Sequence, residues 1–593
     1  MSAAPELPHV RPEVLREYAF LADGERGALV GPRGEIVWLC APRWDSDPVF
    51  SALMGGAGAY IVTPVDPWFV WGGYYEPGSL VWRSRWVTSQ GAVECREALA
   101  MPADPHRTVL LRRLEALERR EVVRVVLDPR AEFGRLGLRG LRRDEDGVWT
   151  ARTGPLHVRW SGAADAREVE GRLELELDVS AGDAHDLVLE VSDRSLPHER
   201  VDPPTAWSET ENQWRRVPQV GAVLGERDAR HAFAVLTGLT SASGGMVAAA
   251  TTALPERSDA GRNYDYRYCW IRDQSYAGRA VAADGAHPLL DSAIGFVSER
   301  LLTDGPRLRP AYTVSGGLVP AEREVPRVVG YPGGGNTVGN NIDRQFQLDA
   351  FGEALLLLAA GARRDRLDSS HWRAVEVAVD AVRVHGDDPG AGVWETETRH
   401  WTHSRLCCAA GLRAVAAVAP RPQASEWAAL ADEMVTRATR DSLHPSGRWQ
   451  RAPDDDRVDA SLLLPVIRGA LPPDDPRSRA TLQAVLSDLV RDGFVYRFRH
   501  NARPLDEAEG AFLLCGFLAA LATHQVGDST TARAFYERSR SACGPAGLFS
   551  EEYDVRQRQQ RGNLPQAFVH ALMFEASVRL ARPWTDEQHL PQP

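Results

Sequence analysis

A chain of 593 residues, 44% hydrophobic and 25% charged, is too long for one ordinary core and too apolar to stay unfolded, so two domains, or one domain beside a large barrel, are expected. Its net charge of −12 removes the basic excess that a phosphate-binding surface needs and argues against a nucleic-acid partner. No apolar run approaches the roughly 20 residues that span a bilayer, and residues 1–16 carry prolines and acidic groups but no apolar secretory core, so a cytoplasmic protein with no membrane partner is expected.

From about residue 20 to 240, short runs alternate apolar and polar side chains between glycines and prolines: Gly34–Leu39, Ala59–Thr63, Leu80–Trp86, Val122–Leu127 and Leu173–Val179. A period of two broken by turn residues predicts an antiparallel β-sandwich over 1–240. A linker is placed at 241–262. Beyond it the period lengthens, and alanine- and leucine-rich segments predict helices over Gln345–Ala362, Ser404–Val418, Thr481–Val490, Gly510–His524 and Ala567–Leu580. Polar motif positions recur just ahead of these helices at Asp273, Asn340, Glu395, Asp459, Glu509 and the stretch Glu551 to Gln566. The steps, roughly 50 to 65 residues, suit a helix, a turn, a second helix and a loop. Six such units over 263–585 would close an (α/α)6 barrel whose inner-helix N-termini all open at one end, where carboxylate and hydroxyl ligands are favoured. An α-solenoid is the alternative, but its repeats would resemble one another and these do not.

The most concentrated chemistry lies in Arg262–Asp273, which reads RNYDYRYCWIRD. Arg272 and Asp273 can grip neighbouring hydroxyls from two sides, one donating and one accepting, while Trp270 and the tyrosines offer flat faces to a sugar ring. A buried ion pair beneath an aromatic cluster is the other reading. Gly392-Val393-Trp394-Glu395 and Leu548–Asp554 each add a glutamate beside an aromatic residue, and two carboxylates are the minimum for glycoside hydrolysis. In Leu548–Asp554 the candidates are Glu551 and its neighbour Glu552.

Together these segments resemble glycoside hydrolase family 15, the glucoamylase, glucodextranase and trehalase family. Further matches follow in the family's order: Ala28–Gly31 through Ile36–Cys40, Pro42–Ser46, Val338–Asn341 with Gln345–Asp349, Asp459–Leu463, Glu509–Leu513 and Gly562–Phe568. The resemblance implies an inverting, exo-acting hydrolase of a short α-glucoside, such as trehalose, isomaltose or a maltooligosaccharide, working without metal or organic cofactor. It assigns Glu395 as general acid, Glu551 as general base, with Glu552 as rival, and Tyr266 as the group beside the catalytic water. Arg272 and Asp273 would hold the terminal sugar, with Trp270, Trp394, Asn340 and Glu552 completing the substrate set. Apolar neighbours are expected to desolvate Glu395 and raise its pKa, and His403 and Arg405 to contact a sugar or cap their helix. An inverting pair would stand about 6.5 to 9.5 Å apart. A phosphorylase on a related barrel and a catalytically silent sugar-binding protein are the alternatives, and the assembly is expected to be a monomer or homodimer.

The sequence departs from the family pattern beside the acid. Glu397 stands two residues after it where an arginine is usual, the segment Thr396–Thr402 is short, and Asn341 replaces a small residue. These changes fall where the second sugar would be gripped. The seven cysteines sit mostly in apolar patterns, with no Cys-x-x-Cys pair and no Cys/His cluster of zinc spacing.

Overall fold

The computed structural model describes residues 10–221, 223–257, 263–285, 287–500 and 503–583. Arg262 and the end of the expected linker lie outside them, as do the first nine residues of the expected sandwich and the last two of the expected barrel.

The alternating runs form two eight-stranded antiparallel sheets. Glu121–Asp128 shows why: Val123, Val125 and Leu127 alternate onto one buried face. That strand pairs with Ala59–Pro64 on one side and Arg172–Val179 on the other. In the second sheet, Trp82–Thr88, Ala92–Leu99, Arg107–Ala116 and Ala184–Ser192 are consecutive neighbours. Trp38, Tyr60, Trp82, Trp86 and Trp160 are fully buried here, and Trp160 donates its indole N–H to the Tyr60 hydroxyl at 3.1 Å. One ion pair is sealed in this layer. Arg112 meets Glu97 at 2.6 Å and also donates to the carbonyl oxygens of Gly34 and Tyr60 on the opposite sheet, so each charged group has the acceptors or donors that make its burial tolerable.

The sandwich strands end at Ser192. The helix Glu226–Leu239, within the stretch expected to be sandwich, packs on the helix Ala567–Leu580. Six inner helices, Ile271–Asp284, Asp349–Arg363, Thr402–Ala416, Leu463–Ile467, Leu513–Gln525 and Ala567–Leu580, contact one another in that order, and the last returns to the first. Outer helices back them and complete the (α/α)6 barrel. The inner helix Leu513–Gln525 is apolar nearly all round because protein covers every face, and Leu513–His524 are all buried. The fourth inner helix is only five residues long, because Gly469 turns the chain at φ 84° and prolines follow at Pro472 and Pro473.

Two helix starts differ from the pattern-based expectation in ways that shape the pocket. The helix expected from Gln345 begins at Asp349, leaving Gln345–Leu348 ahead of it, with Gln345 on the pocket wall and Gln347 reaching Glu395. The helix expected from Gly510 begins at Leu513, because Ala511–Phe512 pairs with Glu552–Tyr553 in a small sheet. A third, expected over Thr481–Val490, spans Pro476–Asp488, started by Asp475 accepting from the Arg477 N–H. The sandwich is tied to the barrel through Trp38, which donates to the Ala250 carbonyl at 2.9 Å, and Arg267, which donates to the Ser46 carbonyl at 2.9 Å. No described helix is long and apolar enough to cross a membrane.

Candidate active site

The segment leading into the first inner helix divides its side chains between two jobs. Asp265 and Arg267 pair with each other at 2.7 and 2.9 Å on the sandwich side, where Asp265 also accepts from the Gly339 N–H. Tyr266, between them, points the other way into a pocket at the barrel mouth. Alternation along an extended chain produces this split. Cys269–Trp270 then pairs with Ala311–Tyr312, which fixes the indole just before the helix begins at Ile271.

Glu395 is gripped from three elements at one oxygen. Its Oε1 accepts from Trp270 Nε1 at 2.8 Å, Gln347 Nε2 at 3.0 Å and Arg272 Nη1 at 3.3 Å, and Arg272 also donates to the Val393 carbonyl at 2.8 Å. The backbone presenting it is strained: Glu395 has φ 52°, a left-handed conformation unusual for a residue with a side chain. Gly392 makes the turn possible at φ 68°, since a Cβ there would meet Trp401 Cδ1 at 2.5 Å. The expected apolar setting is therefore replaced by a cluster of donors. The residue also does not cap the helix at Thr402, whose N-cap is Trp401 without a side-chain bond.

Glu551 stands on the same pocket beside Tyr266, whose hydroxyl lies 3.2 and 3.3 Å from its two carboxylate oxygens and 3.5 Å from Glu256. Burial, reinforced by the neighbouring charge of Glu256, pushes the Glu551 carboxyl well above the ordinary carboxylate range. Burial and the Glu551 charge likewise push the Tyr266 phenol up, which keeps its proton available for donation. The ring is held by Tyr264, stacked at 6.3 Å between centroids, and by Trp270, edge-on at 5.5 Å. A continuous line of contacts thus runs from Glu551 through Tyr266 and Trp270 to Glu395.

Glu552, expected among the groups that touch substrate, does not line this pocket. It is fully buried behind it, with Oε2 accepting the Gly510 N–H at 2.8 Å, because adjacent residues of the strand Glu552–Asp554 and its lead-in face opposite ways. Asp273 and Trp270 also stand one layer back: Asp273 approaches Arg272 Nε at 3.4 Å from a fully buried position, and burial pushes its carboxyl up to about 6 against the pull of Arg272. Arg272, Trp394 and Asn340 do line the pocket. Trp394 donates to Asp459 at 2.8 Å and meets the Phe512 ring edge-on at 5.6 Å, while Asn340 reaches the Asp265 carbonyl at 3.4 Å. Glu397 is turned out to solvent and pairs with Arg399 at 2.7 Å. Asn341 sits at the rim, donating to Glu322 at 2.9 Å. His403 and Arg405 do not line the pocket, and Arg405 pairs with Asp441 at 2.8 Å.

Sequence reasoning missed four participants: Glu256, Gln347, Tyr276 and Arg497. Arg497 lines the pocket over the Phe512 ring at 3.9 Å and pairs with Glu509, whose carboxyl burial would raise but Arg497 and His500 hold down at about 2. Gln347 lay inside a segment already singled out. The others carried no local signal, each being one polar residue brought in by barrel closure.

The family model for glycosyl hydrolases family 15 matches residues 234–578, and that for the trehalase-like N-terminal domain matches residues 10–211. A trehalase of Mycobacterium tuberculosis is 29% identical, covering 96% of this chain and 90% of its own. A trehalase of Mycolicibacterium smegmatis is also 29% identical, covering 98% and 93%. Among solved structures, a bacterial glucoamylase complexed with acarbose matches with a TM-score of 0.69 over 97% of both chains, and at 14% identity that likeness speaks to the fold.

Proposed function

The chain belongs to glycosyl hydrolases family 15 and is an α-glucoside hydrolase, and from that premise we propose that it is an inverting, exo-acting enzyme whose substrate is trehalose. The observation that carries the reading is that Glu395 and Glu551 line one pocket, joined across it by Tyr266 and Trp270. The two relatives named trehalase, similar along nearly the whole chain, favour trehalose over isomaltose or maltooligosaccharides.

In this reading Glu395 protonates the glycosidic oxygen. Its Oε1 is committed to three donors, so the proton sits on Oε2; when it leaves, those donors are already aimed at the charge that develops, and no reorganisation is needed. Glu551 takes a proton from the attacking water. Its raised proton affinity makes it a stronger base once ionised, and the Tyr266 hydroxyl beside it orients the same water. Arg272, braced by Asp273 from behind, grips hydroxyls of the terminal glucose, and Trp394 offers a flat face held at its far edge by Asp459. Attack opposite the departing oxygen inverts the anomeric carbon.

The test is glucose release from trehalose, isomaltose, maltose and maltotriose by the wild-type chain and by Glu395→Gln and Glu551→Ala. Turnover of trehalose well above the others, lost in both variants, is expected. Full activity in either variant, or no turnover of any α-glucoside, would overturn the assignment.

A further inference from the structure

The inner helices Asp349–Arg363 and Thr402–Ala416 pack against each other, and between them lies a cluster that the hydrolytic reading does not use. His403 and Cys407 stand four residues apart and so share one face of their helix, and Glu353 meets them from the other helix. The ligand atoms of the three lie within 4.8 Å of one another, all buried. Cys407 Sγ is 3.2 Å from Glu353 Oε1. Among the described residues, neither ring nitrogen of His403, a residue only 3% exposed, has a hydrogen-bond partner, and neither does Glu353 Oε2.

An imidazole in a dry core ordinarily satisfies both nitrogens, because an unmet donor or acceptor there has lost its water and gained nothing. Here the orphaned nitrogens and the orphaned carboxylate oxygen belong to one cluster. Its donors are an imidazole, a thiol and a carboxylate, a set suited to a borderline cation such as Zn²⁺ and unlike the all-oxygen shells of Mg²⁺ or Ca²⁺. The pair four residues apart on one helix face is also the spacing by which a single helix presents two ligands to zinc.

We infer that Glu353, His403 and Cys407 form a binding site for a zinc-type divalent cation between the two inner helices. Tyr276, on the inner helix Ile271–Asp284 that packs on Asp349–Arg363, lines the sugar pocket, and its hydroxyl is buried with no hydrogen-bond partner among the described residues. A water fills the fourth position. Coordination replaces the S–H···O contact between Cys407 and Glu353: the thiol proton leaves to solvent, and the thiolate and an imidazole nitrogen bind the ion. The bound ion cross-links two inner helices. It takes no part in protonating the leaving oxygen or activating the water. No Cys/His cluster of zinc spacing is expected from the sequence, yet His403 and Cys407 stand at such a spacing; the pair is passed over there because the third donor, Glu353, lies 50 residues before His403 and joins it only through helix packing.

The test uses the full chain, stripped with chelator and titrated with Co²⁺ and Zn²⁺. One equivalent of Co²⁺ should give a thiolate-to-metal charge-transfer band that Zn²⁺ displaces, and Zn²⁺ should raise the melting temperature. Cys407→Ser, close in shape, should abolish the band and weaken Zn²⁺ binding at least roughly 100-fold, beyond the 10- to 100-fold that outer-shell losses cost, with near-ultraviolet circular dichroism confirming the fold. His403→Ala should weaken binding without removing the thiolate band at saturating metal. Absence of any thiolate band in wild type, or a band that survives Cys407→Ser, would overturn the proposal.

Discussion

Replacing Trp270 by phenylalanine tests the acid more finely than removing Glu395 itself. The substitution deletes one N–H, the shortest of the three donors on Glu395 Oε1 at 2.8 Å, and keeps an aromatic ring against Tyr266. Gln347 at 3.0 Å and Arg272 at 3.3 Å remain. A hydrogen bond to a charged group contributes about 1.5–3 kcal/mol, and tenfold in rate corresponds to about 1.4 kcal/mol. With two donors left to share the load, a fall of roughly 10- to 30-fold in kcat/KM on trehalose is expected, toward the lower end of that range. The same variant should lose much less on an activated aryl α-glucoside, whose departing oxygen hardly needs protonation. The assay is a pair of kcat/KM ratios, with melting temperature as control, since the smaller ring leaves space in a buried site. Equal losses on both substrates, or none on trehalose, would show that the indole N–H does not support a proton donor.

Further outcomes follow from the base and from the ion pair behind the acid. Glu551→Ala should abolish turnover and, with azide filling the cavity, yield a β-glucosyl azide detectable by mass spectrometry and NMR, whereas Glu552→Ala should keep measurable ordinary turnover. Glu551 must be ionised to act, so its raised proton affinity places the acid limb of the kcat/KM pH profile above the ordinary carboxylate range. Glu256→Gln removes a negative charge that opposes ionisation and should move that limb to lower pH; an unmoved or raised limb would separate Glu256 from the base. Asp273→Asn should cost about 2–4 kcal/mol in kcat/KM, because Arg272 loses a buried charged partner, and near-wild-type kinetics would reduce the pair to a structural role.

Fold class was legible because the period of apolar residues changes from two to nearly four partway along the chain, and each period leaves one architecture open. Strands such as Glu121–Asp128 and Arg172–Val179 fall within a residue or two of their expected bounds. Less legible was direction. Asp265, Tyr266 and Arg267 look equally eligible in the sequence, yet alternation sends one into the pocket and two into the sandwich contact. Glu551 and Glu552 divide in the same way. Least legible were groups whose meaning depends on closure: Glu256, Arg497 and Tyr276 lie at scattered positions and meet only when the sixth inner helix returns to the first. The departure beside the acid also changes meaning in three dimensions. Glu397 points to solvent, so the difference from the family pattern reaches the pocket through Asn341 at the rim.

The central claim is that the two carboxylates act on opposite faces of an α-glucoside, and proton NMR of the first turnovers on trehalose tests it most directly. Inversion at one anomeric carbon, with the other glucose released unchanged, predicts β- and α-glucose in equal amounts before mutarotation. Release of α-glucose alone would mean that configuration is retained, and would contradict a mechanism in which Glu551 activates water for direct attack.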